Sequence, residues 1–194
     1  MFDLSEQEPG TINWATLVRG LLDRCGFGNV WRSQYVENEN YLLEIFKQRI
    51  HDMYLQTWHG ALSDTSSNRL YKYIKENFEF EKYLDLNNKA HRVSLTRIRL
   101  SSHLFNIERM RWGRREIPIE ERKCTLCNVV EDEFHCLVEC ERYTNERRGC
   151  IPDKLKERPS MYEFINYLKN DSEPIYRKLG LLCFKVQMKY KEYI

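Results

Sequence analysis

Residues 124–140, "CTLCNVVEDEFHCLVEC", place four cysteines and a histidine in one short segment. Thiolate and imidazole are the donors that zinc takes, four to a tetrahedron, and a C-x2-C turn brings two thiolates to one ion with little backbone rearrangement. Cys124 and Cys127 make that turn. His135 and Cys140 complete the pattern C-x2-C-x7-H-x4-C. With all four positions supplied by protein no place remains for a reactive water, so the expected cofactor is one structural Zn2+ rather than a catalytic one. Cys136 offers a second set, C-x2-C-x8-C-x3-C. On an unbroken α-helix Cys136 and Cys140 share a face, whereas His135 and Cys140 are separated by roughly 140°. A helix that ends or tightens before Cys140 would let His135 reach. Spacing leaves both sets open.

The residues before this segment are basic. From Lys89 to Lys123, ten Lys and Arg stand against four Glu, a local +6 in a chain of net +2. Such clustering is the electrostatic footprint of phosphate binding, and arginine both pairs with phosphate and stacks on bases. The candidate nucleic-acid contacts are Arg92, Arg97, Arg99, Arg109, Arg111, Arg114, Arg115, Arg122 and Lys123, with Trp112 as an aromatic platform among them. Tyr143 and Arg147, with Arg142 and Arg148, extend the field past the cysteines. A solvated helical face is the bland alternative, and for Arg97 and Arg99 intramolecular pairing is an equal expectation. His91 and His103 read as local hydrogen-bonding groups; His51 and His59 can share a helix face without making a metal site.

Helical periodicity dominates the elements that must position these groups. Trp14, Leu17, Val18, Leu21 and Leu22 recur at three-four spacing, and Gly26 supplies the stop. "GFGNVW" reads as a turn, followed by a long helix from about Glu39 to Leu62. "RLYKYIKENF" and "FEKYLDL" read as shorter helices, and residues 88–105 as an amphipathic helix with a basic flank. "REIPIEERKCTLC" alternates in the strand manner and permits a hairpin. Two helices close the chain, "SMYEFINYLKN" and the stretch after Pro174. The expected fold is mainly α, a multi-helix domain with a small zinc-stapled hairpin-helix knuckle. Three regions are expected: 1–88, helical; 89–150, the basic helix and knuckle; 151–194, the C-terminal helices.

The stretch "LTRIRLSSHLFNIERMRW" through "IPIEERKCTLC…DEFHCLVECERYTNERR" resembles the C-terminal region of LINE-type non-LTR retrotransposon reverse transcriptases. "RLSSHLFNIE" before the cysteines and Cys140-x-x-Tyr143-x-x-x-Arg147 after them look like the flanks of that family's CCHC knuckle. "GFGNVW" and "FKQRIHDMYLQTW" look like its upstream segments, so the likeness runs from about residue 12 to residue 170. The resemblance implies His135 as the fourth ligand, because Cys136 falls where the family carries an apolar residue. It also implies contact with RNA or DNA during target-primed reverse transcription. No Tyr/Phe-x-Asp-Asp polymerase motif is present, so the expectation is the post-polymerase tail alone.

Catalytic readings are thin. Pro152-Asp153 and Asp171-x-Glu173 imitate a PD-(D/E)-x-K nuclease, but Glu173 stands where the lysine belongs and a helix pattern separates the acids. "RCGFGN" lacks the Lys-Ser/Thr of a phosphate loop. Cys25, Cys150 and Cys183 sit in apolar contexts as core thiols. The chain is expected not to be an enzyme. Apolar runs are too short for a membrane span, the N-terminus lacks a signal-peptide layout, and the odd, clustered cysteines suit a reducing compartment, nucleus or cytoplasm. The competing expectation is a zinc-stapled helical module that recruits a protein partner.

Overall fold

The computed structural model describes residues 13–64, 68–112 and 117–194. The chain divides into two units, Met1–Gly60 and Ala61–Ile194.

In the first unit, α1 (Trp14–Arg24) begins where the Asn13 side chain accepts the Thr16 N–H at 2.8 Å, satisfying one of the donors a helix start leaves open. It ends before Gly26, whose φ of 83° permits the left-handed closing turn. "GFGNVW" is not a plain turn: α2 (Gly28–Ser33) forms there and stops at Gln34, itself left-handed at φ 53°. The long helix α3 (Glu39–Asp64) is capped by the Asn38 carboxamide, which accepts the Tyr41 N–H at 3.0 Å. Phe27 and Phe46 meet edge to face at 5.7 Å, and the Cys25 and Met53 sulfurs lie 3.8 Å apart.

The second unit is mainly α. The short α4 (Tyr71–Ile74) and a 3-10 turn at Lys82–Asp85 replace two of the expected helices. Then come α5 (Lys89–Arg99), α6 (Asn106–Arg109), α7 (Thr144–Arg147), α8 (Asp153–Glu157), α9 (Met161–Lys169) and α10 (Glu173–Lys191). Asn88 and Ser160 cap α5 and α9 by accepting the His91 and Glu163 N–H groups, and Pro174 opens α10, where its missing N–H costs nothing. The principal packing is α5 against α10. Gly180 permits it, since a Cβ there would lie 3.2 Å from both His91 Cβ and Leu86 Cδ1. Gln187 then donates to the Ser94 carbonyl at 2.8 Å across the crossing.

The core under this crossing runs from Leu70 to Tyr190 and takes in Leu95, Ile98, Leu137, Phe164, Leu168 and Leu182. Residues on both sides of 88 and of 150 contribute to this core. No helix among the described residues is long and apolar enough to cross a membrane. The expected hairpin shrinks, among the described residues, to one antiparallel bridge, Lys123 to Val130.

Candidate metal centre and its basic surroundings

The bridge between Lys123 and Val130 closes the C-x2-C turn. The Cys124 N–H donates to the Val129 carbonyl at 2.8 Å, the Asn128 N–H donates to the Cys124 carbonyl at 2.9 Å, and Asn128 turns the chain with φ 56°. Asp132 then starts the helical return, its carboxylate accepting the His135 N–H at 2.7 Å. His135–Glu139 is a π-helical turn, defined by the Cys140 N–H donating to the His135 carbonyl at 2.7 Å. This answers the ambiguity of spacing. Sequence suggested that a helix ending or tightening before Cys140 would admit His135; the helical segment does end at Glu139, and its last turn is widened rather than tightened. Closure over five residues brings His135 and Cys140, five apart, to one side.

Cys124, Cys127, His135 and Cys140 consequently lie with their donor atoms all within 4.8 Å of one another, a group that can hold one metal ion. Cys140 Sγ is 3.9 Å from Cys124 Sγ and 3.8 Å from Cys127 Sγ. Metal–sulfur bonds of about 2.3 Å at tetrahedral angles subtend about 3.8 Å. Both His135 nitrogens are buried without a hydrogen-bond partner, although Nδ1 lies 3.5 Å from Glu139 Oε2. An unmet buried polar atom costs about 1–3 kcal/mol, and coordination removes that cost. Burial, followed by the neighbouring Cys124 and Cys127 sulfurs, pushes the Cys140 thiol up to about 12. A cation is what allows such thiols to ionise together. Cys136 stands outside the group, and burial, then Glu131, pushes its thiol up well above the ordinary range, as for a core thiol.

The acidic run "EDE" before His135 anchors this centre, and sequence reading gave it no role. Glu131 and Glu133 point inward at alternate positions. Glu131 Oε2 accepts from the Asn106 N–H at 3.0 Å and from the Tyr190 hydroxyl at 2.9 Å, tying α10 to the knuckle. Glu133 receives Arg69 on both oxygens at 3.2 Å and His103 Nε2 at 2.9 Å. Burial alone would raise the Glu133 carboxyl, but the His103 hydrogen bond and charge and the Arg69 charge outweigh it and hold the group down at about 2. The strict alternation of two buried acids around a capping Asp was the available signal.

The basic candidates separate into three groups. Arg99 is buried: it pairs with Glu81 at 3.1 Å, donates to the Leu168 carbonyl and lies over the Tyr83 ring at 4.7 Å. Arg122 is also buried and donates to the Ile117 and Ile107 carbonyls, each at 2.7 Å. Arg147 caps the Cys140 carbonyl at 2.5 Å, Arg92 donates to the Leu86 carbonyl at 2.7 Å, and the Tyr143 ring is wholly buried. The expectation of a base stacking on Tyr143, and of phosphate on Arg99 and Arg122, is corrected accordingly: these side chains hold the fold together. The second group faces solvent. Arg97, Arg109 and Lys123 are exposed, Arg109 sharing the Asn106 carboxamide at 2.7 Å, while half-buried Arg111 lies over the exposed Trp112 at 5.4 Å. Arg114 and Arg115, the third group, lie outside the described residues. Beyond the cysteines, Arg142 reaches back to Thr125 Oγ1 at 2.9 Å and Arg148 is exposed. Set against family models, curated proteins and solved structures, the chain matches none.

Proposed function

We propose that this chain is a zinc-stapled module that binds RNA or DNA mainly through phosphate contacts, as the resemblance to the post-polymerase tail of non-LTR retrotransposon reverse transcriptases implies. One observation carries it. A closed Cys3His donor set stands in the same unit as outward-facing Arg109, Lys123 and Arg148, which have no carboxylate partner among the described residues. Three thiolates and an imidazole are soft donors that suit zinc, and a site filled by protein gives the ion a structural task. The ion fixes the C-x2-C turn to the π-turn. Arg142 and Arg147 clasp the same block, and the exposed cations are thereby set in fixed positions from which they neutralise phosphate. No polymerase or nuclease chemistry is part of this reading.

A second reading, a protein-interaction module, rests on a cavity of about 800 Å³ between α4, α9 and the knuckle, lined by Leu70, Tyr73, Phe134, Met161, Tyr162 and Ile165. Salt separates the two. Phosphate binding releases counterions and weakens steeply as salt rises, whereas apolar association does not. The test is fluorescence polarisation of the zinc-loaded chain with a single-stranded RNA and a duplex DNA over a salt series. Binding with a steep negative salt slope, abolished by removing the metal, is expected. Flat signals at low salt with zinc bound would overturn the nucleic-acid reading and leave the interaction module.

A further inference from the structure

The crossing of α5 and α10 leaves a groove on its outer side. One stretch, a cavity of about 580 Å³, is bordered by Asn68, Arg97, Ser101, Trp112, Gln187 and Lys191. The adjoining stretch, about 420 Å³, shares Arg97, Gln187 and Lys191 and continues past Lys89, Val93 and Met188. Each volume lies in the range of small-ligand sites, about 300–1,000 Å³. The lining is electrostatically one-sided. Lys89, Arg97 and Lys191 are exposed cations without a carboxylate partner among the described residues. The single acid in the lining, Glu108, is already held by Arg69 at 3.2 Å and Arg111 at 3.7 Å. At the mouth the Trp112 indole is 77% exposed, and Arg111 keeps a cation 5.4 Å from its centroid. One residue of the wall, Ser101 (φ 48°), holds left-handed backbone that residues other than glycine and asparagine seldom adopt, a form of strain found at binding sites.

We propose that this groove takes a single-stranded segment of nucleic acid, one unstacked base lying on Trp112 and the flanking phosphates meeting Arg97, Lys191 and Lys89. The inference rests on the nucleic-acid reading above and names the form of the ligand and the residues that select it. A duplex keeps its base faces stacked inside and offers backbone and groove edges, so it gains the cations and forgoes the indole. Lys191 enters from the far end of the chain, which gives α10 a part in binding that the basic cluster alone does not suggest.

The test uses the full zinc-loaded chain with a fluorescent single strand of about 12 nucleotides and its duplex. The variants are Trp112→Ala, Trp112→Phe, and the pair Arg97→Ala with Lys191→Ala, with Arg148→Ala for comparison. These side chains are exposed, so melting curves unchanged from the parent are expected throughout. Trp112→Ala should weaken single-strand binding about tenfold or more while duplex binding stays within about twofold, and Trp112→Phe should restore most of the loss. The Arg97 and Lys191 pair should weaken both ligands and flatten the salt slope by about two charges. Binding that survives in every groove variant but falls with Arg148→Ala overturns the groove and leaves the nucleic-acid reading standing. Absence of binding to either ligand at low salt overturns both.

Discussion

Glu133→Gln preserves the shape of a buried side chain and removes its charge. In the native protein that carboxylate, 3% exposed, accepts from Arg69 at 3.2 Å on each oxygen and lies 2.9 Å from His103 Nε2. Breaking a buried ion pair by removing one partner costs about 3–5 kcal/mol, because the remaining charge stays desolvated. Arg69 retains Glu108 at 3.2 Å and is 28% exposed, so its share of the penalty is softened. His103, fully buried, loses its carboxylate contact as well. The lower end, about 3 kcal/mol, is therefore expected. At about 2–4 °C per kcal/mol for a chain of this size, the melting temperature should fall by roughly 10 °C. The assay is calorimetric or circular-dichroism melting with metal held in excess, so that lost metal affinity does not enter. A double-mutant cycle with Arg69→Met should return a coupling of about 1–3 kcal/mol. A fall below about 2 °C, or no coupling, would refute the claim that the acidic run anchors the knuckle.

Gly180→Ala sets helix propensity, which favours alanine by up to about 1 kcal/mol, against a Cβ 3.2 Å from two neighbours and 3.4 Å from the His91 carbonyl. With His91 Cβ unable to swing aside, urea titration should show a net loss of about 1 kcal/mol. Tyr190→Phe removes the hydroxyl that reaches Glu131 at 2.9 Å and Asn106 at 3.2 Å, and should destabilise by about 1–2 kcal/mol in the same assay. Arg99→Met removes one cation from the buried Glu81 carboxylate, which keeps Lys75 at 3.7 Å and the Tyr71 hydroxyl at 2.8 Å, so the loss should fall at the lower end for a broken buried pair, about 3 kcal/mol, measured by thermal melting. Arg148→Ala should change stability by less than about 0.5 kcal/mol and lower nucleic-acid affinity, read by polarisation.

Much of the fold was legible because long amphipathic segments announce themselves. The patterns behind α1, α3, α5, α9 and α10 each repeat over several turns, and their caps (Asn13, Asn38, Asn88, Ser160) are visible in sequence. The stretches around Tyr71 and Lys82 carry too few repeats to fix a helix, and there packing against α9 and α5 decides the conformation. Cys124, Cys127 and Cys140 were legible as metal-ligating candidates from spacing and donor type. The choice between His135 and Cys136 was not, because it turns on one widened turn. The basic cluster misled most. A buried arginine and a solvated one look alike in sequence; what buries Arg99 is a carbonyl at Leu168, 69 residues away, and what buries Arg122 is a carbonyl at Ile107. The acids that look like simple counter-charges, Glu131 and Glu133, proved to be the anchors.

Native mass spectrometry of the chain purified in the presence of zinc tests the four-residue metal site most directly. One zinc per molecule is expected for the parent and for Cys136→Ala. Cys124→Ser, Cys127→Ser, His135→Ala and Cys140→Ser are each expected to lose it. Full zinc occupancy in His135→Ala with loss in Cys136→Ala would transfer the fourth ligand to Cys136 and contradict the geometry of the π-turn; absence of metal from the parent would remove the staple altogether.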